Sequence, residues 1–321
     1  MAVRSDEKIV AGLGPCTTKY ATVSARPTRT SSAFPVFFPV AGPIRSCRQL
    51  QFDDTIRMSN LMLRATYVGG PTALLEVAGF RLLTDPTFDP AGTEYRTPVY
   101  TLRKTDDPAI ATEALGAIDA VLLSHDHHFD NLDHAGRSLL PSVRQVLTTP
   151  AGAERLGGNA VGLATWEHVD LPAPGEQTVR ITSTPARHGP ADGDRGPVTG
   201  FLLTDARDAQ APTTPAIYVS GDTVWYEGLR PIAERADVKV ALLFLGAARV
   251  HEVGPAHLTF AASEGVAAAR AFPHALIVPL HYAGWGHFSE GRAEIQRAFD
   301  EAGLGERLCW LEPGVAVTLS A

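Results

Sequence analysis

Residues 120–133 read AVLLSHDHHFDNLD: an apolar run that stops at Ser124 and passes into three histidines and three acidic residues within nine positions. Borderline-soft imidazole nitrogens beside hard carboxylate oxygens suit zinc or a neighbouring first-row divalent ion. The loop after a strand can aim several such side chains at one point. A solvated polar loop would account for any one of these histidines. It does not account for the whole cluster, because the rest of the chain supplies further donors in the same order of strand, donor, turn.

Three later runs repeat that order. TVRITSTPARHG (178–189) ends a β-like segment with His188, AIYVSGDT (216–223) ends one with Asp222, and ALIVPLHYAGWGHF (275–288) ends one with His281. Four β-rich segments therefore each carry a candidate ligand at the C-terminal end.

In this order the runs resemble the metallo-β-lactamase superfamily, whose ligands follow the pattern His-x-His-x-Asp-His, then a later His, an Asp and a last His. Residues 67–89, YVGGPTALLEVAGFRLLTDPTFD, look like its opening hairpin, with Gly79 turning two alternating strands and Asp85-Pro86 closing the second. More narrowly, SHDHHFDNLD, the GDT at 221–223 and PLHYAGWGHF at 279–288 are similar to the branch containing N-acyl-phosphatidylethanolamine phospholipase D and the L-ascorbate-phosphate lactonases. The likeness covers roughly residues 63–315.

The resemblance implies an α/β fold, a four-layer αββα sandwich, around one or two divalent ions. Zinc is the first expectation, with manganese and iron left open. The ligands implied are His125, His127 or His128, and His188 at one position, and Asp130 and His281 at the other, with Asp222 bridging. Asp85 would fix a ligand histidine from behind. Asp130 would orient the attacking water and take its proton. His257, in GPAHLTF, matches a family histidine that stabilises negative charge on substrate, although an N-terminal capping role for it is equally open.

The chain departs from the pattern at three places. One extra residue separates His125 from Asp130, so counting forward favours His127 as a ligand and counting back favours His128. Asn131 stands where the family has a third motif histidine, and its amide is a poor zinc ligand. The second ion position is therefore expected to bind weakly, with one-metal occupancy open. The family's early Gly-His is Gly69-Gly70 here. His287 is either a pocket residue or a solvated one, and Trp225 and Tyr226 either wall the substrate or belong to the core.

The reaction implied is hydrolysis of a small ester, lactone, amide or phosphodiester by hydroxide held on the metal. No Gly-x-Ser-x-Gly motif offers a rival nucleophile. The alternative is a degenerate binding or regulatory protein with one metal and no turnover, motivated by Asn131. The expected partner is a small-molecule substrate, and self-association into a homo-oligomer is left open. A net charge of −7 gives no basic footprint for nucleic acid. With no run near the ~20 apolar residues a membrane helix needs, no transmembrane segment is expected.

The three cysteines, Cys16, Cys47 and Cys309, are far apart and form neither a zinc-knuckle spacing nor a disulfide framework. They predict a reduced, cytoplasmic protein with Cys309 buried in a strand. Residues 1–57 carry eight basic against four acidic residues, are rich in Ser, Thr and Pro, and show no period. They predict a disordered extension, even an over-extended gene start, ahead of one hydrolase domain over 58–321. Strands are predicted at 63–68, 73–78, 80–84, 119–124, 144–149, 178–184, 199–204, 216–220, 238–245, 275–280 and 315–319. Helices are predicted near 109–117, 134–140, 226–236, 258–271 and 289–302, the last capped by Ser289.

Overall fold

Apolar residues that alternate faces along short strands require two covered faces, and the chain meets that demand with two sheets. The structure, a computed structural model, describes residues 61–172, 178–190, 195–208 and 213–320. The segment 1–57, predicted to be disordered, lies outside these residues.

In chain order the first half contributes β1 (Met62–Gly69), β2 (Thr72–Val77), β3 (Phe80–Thr84), the hairpin pair β4 (Glu94–Arg96) and β5 (Thr101–Arg103), β6 (Ala120–Leu122), β7 (Val146–Thr148) and β8 (Ala160–Gly162). The second half contributes β9 (His168–Pro172), β10 (Thr178–Thr184), β11 (Gly200–Asp205), β12 (Pro215–Val219), β13 (Asp237–Phe244) and β14 (Leu276–Leu280), and β15 (Ala316–Ser320) returns to pair with β1. One sheet has the order β15-β1-β2-β3-β6-β7-β8 and the other β14-β13-β12-β11-β10-β9, while β4 and β5 pair only with each other. The helices are α1 (His134–Leu139), α2 (Pro150–Leu156), α3 (Arg230–Arg235), α4 (Ala262–Ala271) and α5 (Arg292–Glu301).

Leu82, Ala120 and Leu122 face the core between the sheets, where they join Phe201, Leu203, Ile217, Val219, Leu242 and Phe244 from the second sheet. Their neighbours Leu83, Val121 and Leu123 face outward, with Ile118, Leu132 and Leu140. On the far side, Leu202, Tyr218, Ala241 and Leu243 pack with Ile232 of α3, Val266 of α4 and Ile295 and Phe299 of α5. The result is the expected αββα sandwich, with each sheet buried on both faces.

Strand direction sets where the site forms. β3 and β6 are parallel, and so are β12, β13 and β14. β10 reaches β12 through two antiparallel steps, which restore its direction. The residues after β10, β12 and β14, namely His188, Asp222 and His281, therefore leave the second sheet at one edge, as Asp85 and His125 do after β3 and β6.

The helices differ more from expectation. The stretch 109–117 holds only a 3₁₀ turn at Thr112–Ala114, ended by Gly116 in the left-handed region. The last helix starts at Arg292 with Gly291 as its cap, because the Ser289 hydroxyl donates instead to Ala247 O at 2.7 Å. The helix predicted over 226–236 opens as a 3₁₀ turn and becomes α3, with Pro231 in its first turn. Cys309 is buried as expected but lies just after the isolated bridge at Leu308, outside any strand. Among the described residues no helix is long and apolar enough to cross a membrane.

Candidate metal centre

The strand ends bring four donors together. His128 Nδ1 stands 3.1 Å from His125 Nε2 and 2.9 Å from His188 Nε2, and Asp222 Oδ2 lies 3.6 Å from His188 Nε2. Three of these residues, His125, His188 and Asp222, are at most 2% exposed. His188 is oriented by Leu258 O, which accepts its Nδ1–H at 2.9 Å and leaves a lone pair on Nε2. His125 is oriented by Ser124 Oγ, 2.9 Å from its Nδ1, and Ser124 in turn gives its backbone N–H to Asp85 Oδ1 at 2.6 Å. Asp85 thus acts on His125 through Ser124, one link further back than the family pattern implies.

The electrostatics keep His125 and His128 neutral. Burial, then the charges that neighbouring His128 and His188 would carry, holds His125 well below the ordinary histidine range. Burial and His188 bring His128 down to about 3. Burial alone would raise Asp222, but the charge of His281 and its hydrogen bond, with His188, bring it below its usual value. Asp85 is raised by burial first and by the Asp222 charge second, with the Ser124 N–H opposing.

A neutral imidazole can donate to another's lone pair, but His128 Nδ1 faces two ring nitrogens at about 3 Å, so the two contacts cannot both be well-aligned hydrogen bonds, and a cation among them would satisfy all three. Donors bound at roughly 2.0–2.1 Å around a tetrahedral ion sit about 3.3 Å apart, close to the distances found. Asp222 Oδ2 is also buried without a hydrogen-bond partner. The residues present therefore fit a divalent first-row ion.

His127 points elsewhere. Its Nε2 is 2.9 Å from Arg195 O on the loop after β10, although its ring also lies among the histidines that converge there. Gly196 has φ +106, and a Cβ on it would come within 2.9 Å of His127 Nε2. Of the two alternatives that the extra residue leaves open, the ring facing His125 and His188 at hydrogen-bond distance is that of His128.

Around Asp130 a second group gathers. Asp130 Oδ2 is 2.9 Å from His287 Nε2 and 3.6 Å from His281 Nε2, and the other nitrogen of His281 meets Asp222 Oδ1 at 2.9 Å. Burial would raise Asp130, but His287 foremost, then His281 and His128, hold it far below the carboxylate range. His287 is thus largely buried against Asp130 and not a solvated residue. His281 adopts φ 52, a left-handed conformation that is costly outside glycine, and its N–H is held by Gly70 O at 2.8 Å. Gly70 (φ +55) leaves room for Trp285, whose Nε1 would lie 2.9 Å from a Cβ there. The indole closes in where the family carries its early histidine.

Three expected site residues lie differently. His257 pairs with Glu264 at 2.9 Å in the first turn of α4 and is not brought into the cluster; its neighbour Leu258 serves the site through its carbonyl. Trp225 and Tyr226 are half-buried against the apolar layer under α3–α5, with the Arg187 guanidinium 4.5 Å from the Tyr226 ring. The walls beside the cluster come instead from a pocket of about 280 Å³ lined by Phe129, Leu132, Arg137 and Arg155 with Asp126, His127 and His128. Asn131 is fully buried, and its amide, with Ser124, is one of the groups that lower Asp85 against its burial.

The sequence reading missed the frame that holds the motif loop. Asp133 caps α1 through Gly136 N and takes Lys104 Nζ at 3.3 Å, while Asp89 accepts His134 N, Ala135 N and the Tyr95 hydroxyl. Lys104 is buried, which lowers it, with Asp133 opposing. Asp133 before a helix was a legible cap signal; Asp89, Tyr95 and Lys104 come from a hairpin region with no period to mark it.

An αββα sandwich with a histidine–aspartate cluster at one edge is the metallo-β-lactamase architecture. The particular family follows from the sequence: residues 80–282 match the Beta-lactamase superfamily domain, and the chain belongs to that family. It is similar to the UPF0173 protein YddR of Bacillus subtilis, 23% identical over 263 residues, which span 80% of this chain and all of that protein. The UPF0173 metal-dependent hydrolase of Ignicoccus hospitalis is 28% identical over 211 residues, 62% of this chain and 78% of that one. Among solved structures, the isothiocyanate hydrolase from Delia radicum gut bacteria shares the fold with a TM-score of 0.68 at 24% identity, over 80% of this chain and all of that one.

Proposed function

We propose that the protein is a metal-dependent hydrolase of a small ester, lactone, amide or phosphodiester, with zinc as its ion. The observation that carries this reading is the convergence of His125 Nε2, His128 Nδ1 and His188 Nε2 on one buried point beside the unpartnered Asp222 Oδ2. When bound, a divalent ion activates water and polarises a carbonyl or phosphoryl oxygen.

The chain's own residues do the remaining work. Asp130 is kept ionised, and its Oδ2 faces His281 and His287, which leaves Oδ1 to orient a water and accept its proton. Phe129 and Leu132 exclude bulk water from one side of the cluster, and Arg137 and Arg155 give that side a polar rim. The branch resemblance in SHDHHFDNLD and PLHYAGWGHF supports ester-like or phosphodiester bonds.

The test is a hydrolysis screen of zinc-loaded protein with p-nitrophenyl acetate, a homoserine lactone and bis-p-nitrophenyl phosphate. Turnover of at least one, abolished by chelation and reduced roughly 10²–10⁴-fold in Asp130→Asn, is expected. A protein that binds metal yet turns over none of these classes would favour the non-catalytic binding reading that Asn131 motivates.

A further inference from the structure

We infer that His287 supplies the imidazole that position 131 lacks, so that Asp130, His281 and His287 hold a second divalent ion while Asp222 serves the first position. This rests on the reading of the histidine–aspartate cluster as a metal centre.

The argument starts from what each atom is already doing. His281 Nδ1 meets Asp222 Oδ1 at 2.9 Å, and an ionised carboxylate can only accept, so Nδ1 carries the proton and Nε2 of a neutral ring carries a lone pair. That lone pair is completely buried, has no hydrogen-bond partner and faces Asp130 Oδ2 at 3.6 Å. A buried ring nitrogen without a partner is costly, and an ion bound between it and the facing carboxylate would satisfy both. His287 Nε2 approaches the same carboxylate oxygen at 2.9 Å. Donors sharing one ion with bonds of roughly 2.0–2.1 Å sit about 2.9–3.4 Å apart; the His287 separation falls within that range, and the 3.6 Å of His281 stands just outside it.

Position 131 does not compete for this role. Its amide is turned to Asp85, whose carboxyl it helps to lower. Asp222 has also changed duty relative to the family pattern: Oδ1 is taken by His281, and Oδ2 faces His188, so the carboxylate spans from a histidine of one group to a histidine of the other.

The loop that carries His287 is built to hold it there. Six residues after His281 the chain has turned back at Gly284 (φ +91); Gly286 N–H is held by Arg103 O and His287 O accepts Arg249 N–H, both at 2.9 Å. Phe288 packs against both imidazoles, its ring 4.7 Å from that of His281 and 4.8 Å from that of His287. A histidine held from both sides in this way is placed, not solvated.

The test is metal stoichiometry. Full-length protein is stripped with chelator, reloaded with zinc, dialysed and measured by plasma mass spectrometry, with cobalt(II) absorption as a second readout. Wild type should hold two ions per chain, His287→Ala and His287→Gln one, and Asn131→Ala two; circular dichroism and Tm confirm that each variant is folded. If wild type holds a single ion, or if both His287 variants retain two, the inference is wrong and His287 is only a hydrogen-bond partner of Asp130. A different failure, wild-type stoichiometry surviving in His188→Ala, would instead remove the metal-centre reading on which the inference stands.

Discussion

Asp85 accepts the backbone N–H of Ser124 at 2.6 Å, and the Ser124 hydroxyl meets His125 Nδ1 at 2.9 Å. The end of one strand is thereby tied to the end of its parallel neighbour, and the ring of the first motif histidine is fixed by that tie. Asp85→Ala would leave a buried N–H unpaired, at a cost of about 1–3 kcal/mol in urea unfolding. Loosening His125 should also weaken zinc affinity ~10–100-fold. Asp85→Asn keeps an acceptor and should fall between the two; equal affinity in all three proteins would show that the tie does not reach the metal.

His127 and His128 are adjacent in the chain and divide in space, one toward Arg195 O and the other toward His125 and His188. His128→Ala should lose the first ion in equilibrium dialysis, whereas His127→Ala should keep it. The reverse result would exchange the two assignments.

His257 lies beside Glu264, and that hydrogen bond and charge raise it above the ordinary histidine value against the opposing effect of burial. A raised folded-state value means that the pair stabilises fully below the unfolded histidine value of ~6.5 and that the gain is lost as pH rises through the folded value. His257→Gln should therefore lower Tm more at pH 6 than at pH 9. A Tm difference that does not depend on pH would mean that the pair adds no linkage.

Gly221 combines φ +59 with a site where a Cβ would lie 2.6 Å from both Ser124 Cβ and Thr199 O. Gly221→Ala must strain the backbone and push the Asp222 turn away from the first strand end. Each effect is of order 1–3 kcal/mol, so a Tm well below wild type and reduced zinc content are expected together. A Tm within a degree of wild type would show that the close approach at this turn is not a constraint.

Every predicted strand is present, because in each the apolar positions fill a layer on at least one face and the period survives in the sequence. β4 and β5 escaped notice since EYR and TLR bury only their middle residues, Tyr95 and Leu102. The seven-residue α2 has too few turns to display a helical period, although Thr149 followed by Pro150 is a legible start. The choice between His127 and His128 could not be made from spacing, because the deciding contact is to a carbonyl 68 positions away. His287 was ambiguous for the same reason: its partner Asp130 is 157 residues distant. Trp225, Tyr226 and His257 lie where the second of the alternatives open in the sequence places them, the first two against the apolar layer under α3–α5 and His257 beside Glu264 at the start of α4.

The central claim, that this edge of the sandwich is a metal centre with His128 among its ligands, is tested most directly by a crystal structure of zinc-loaded protein with anomalous data above and below the zinc edge. The account predicts an anomalous peak within ~2.0–2.2 Å of His125 Nε2, His128 Nδ1, His188 Nε2 and Asp222 Oδ2. A peak on His127 in place of His128, or none within reach of these four atoms, would contradict it.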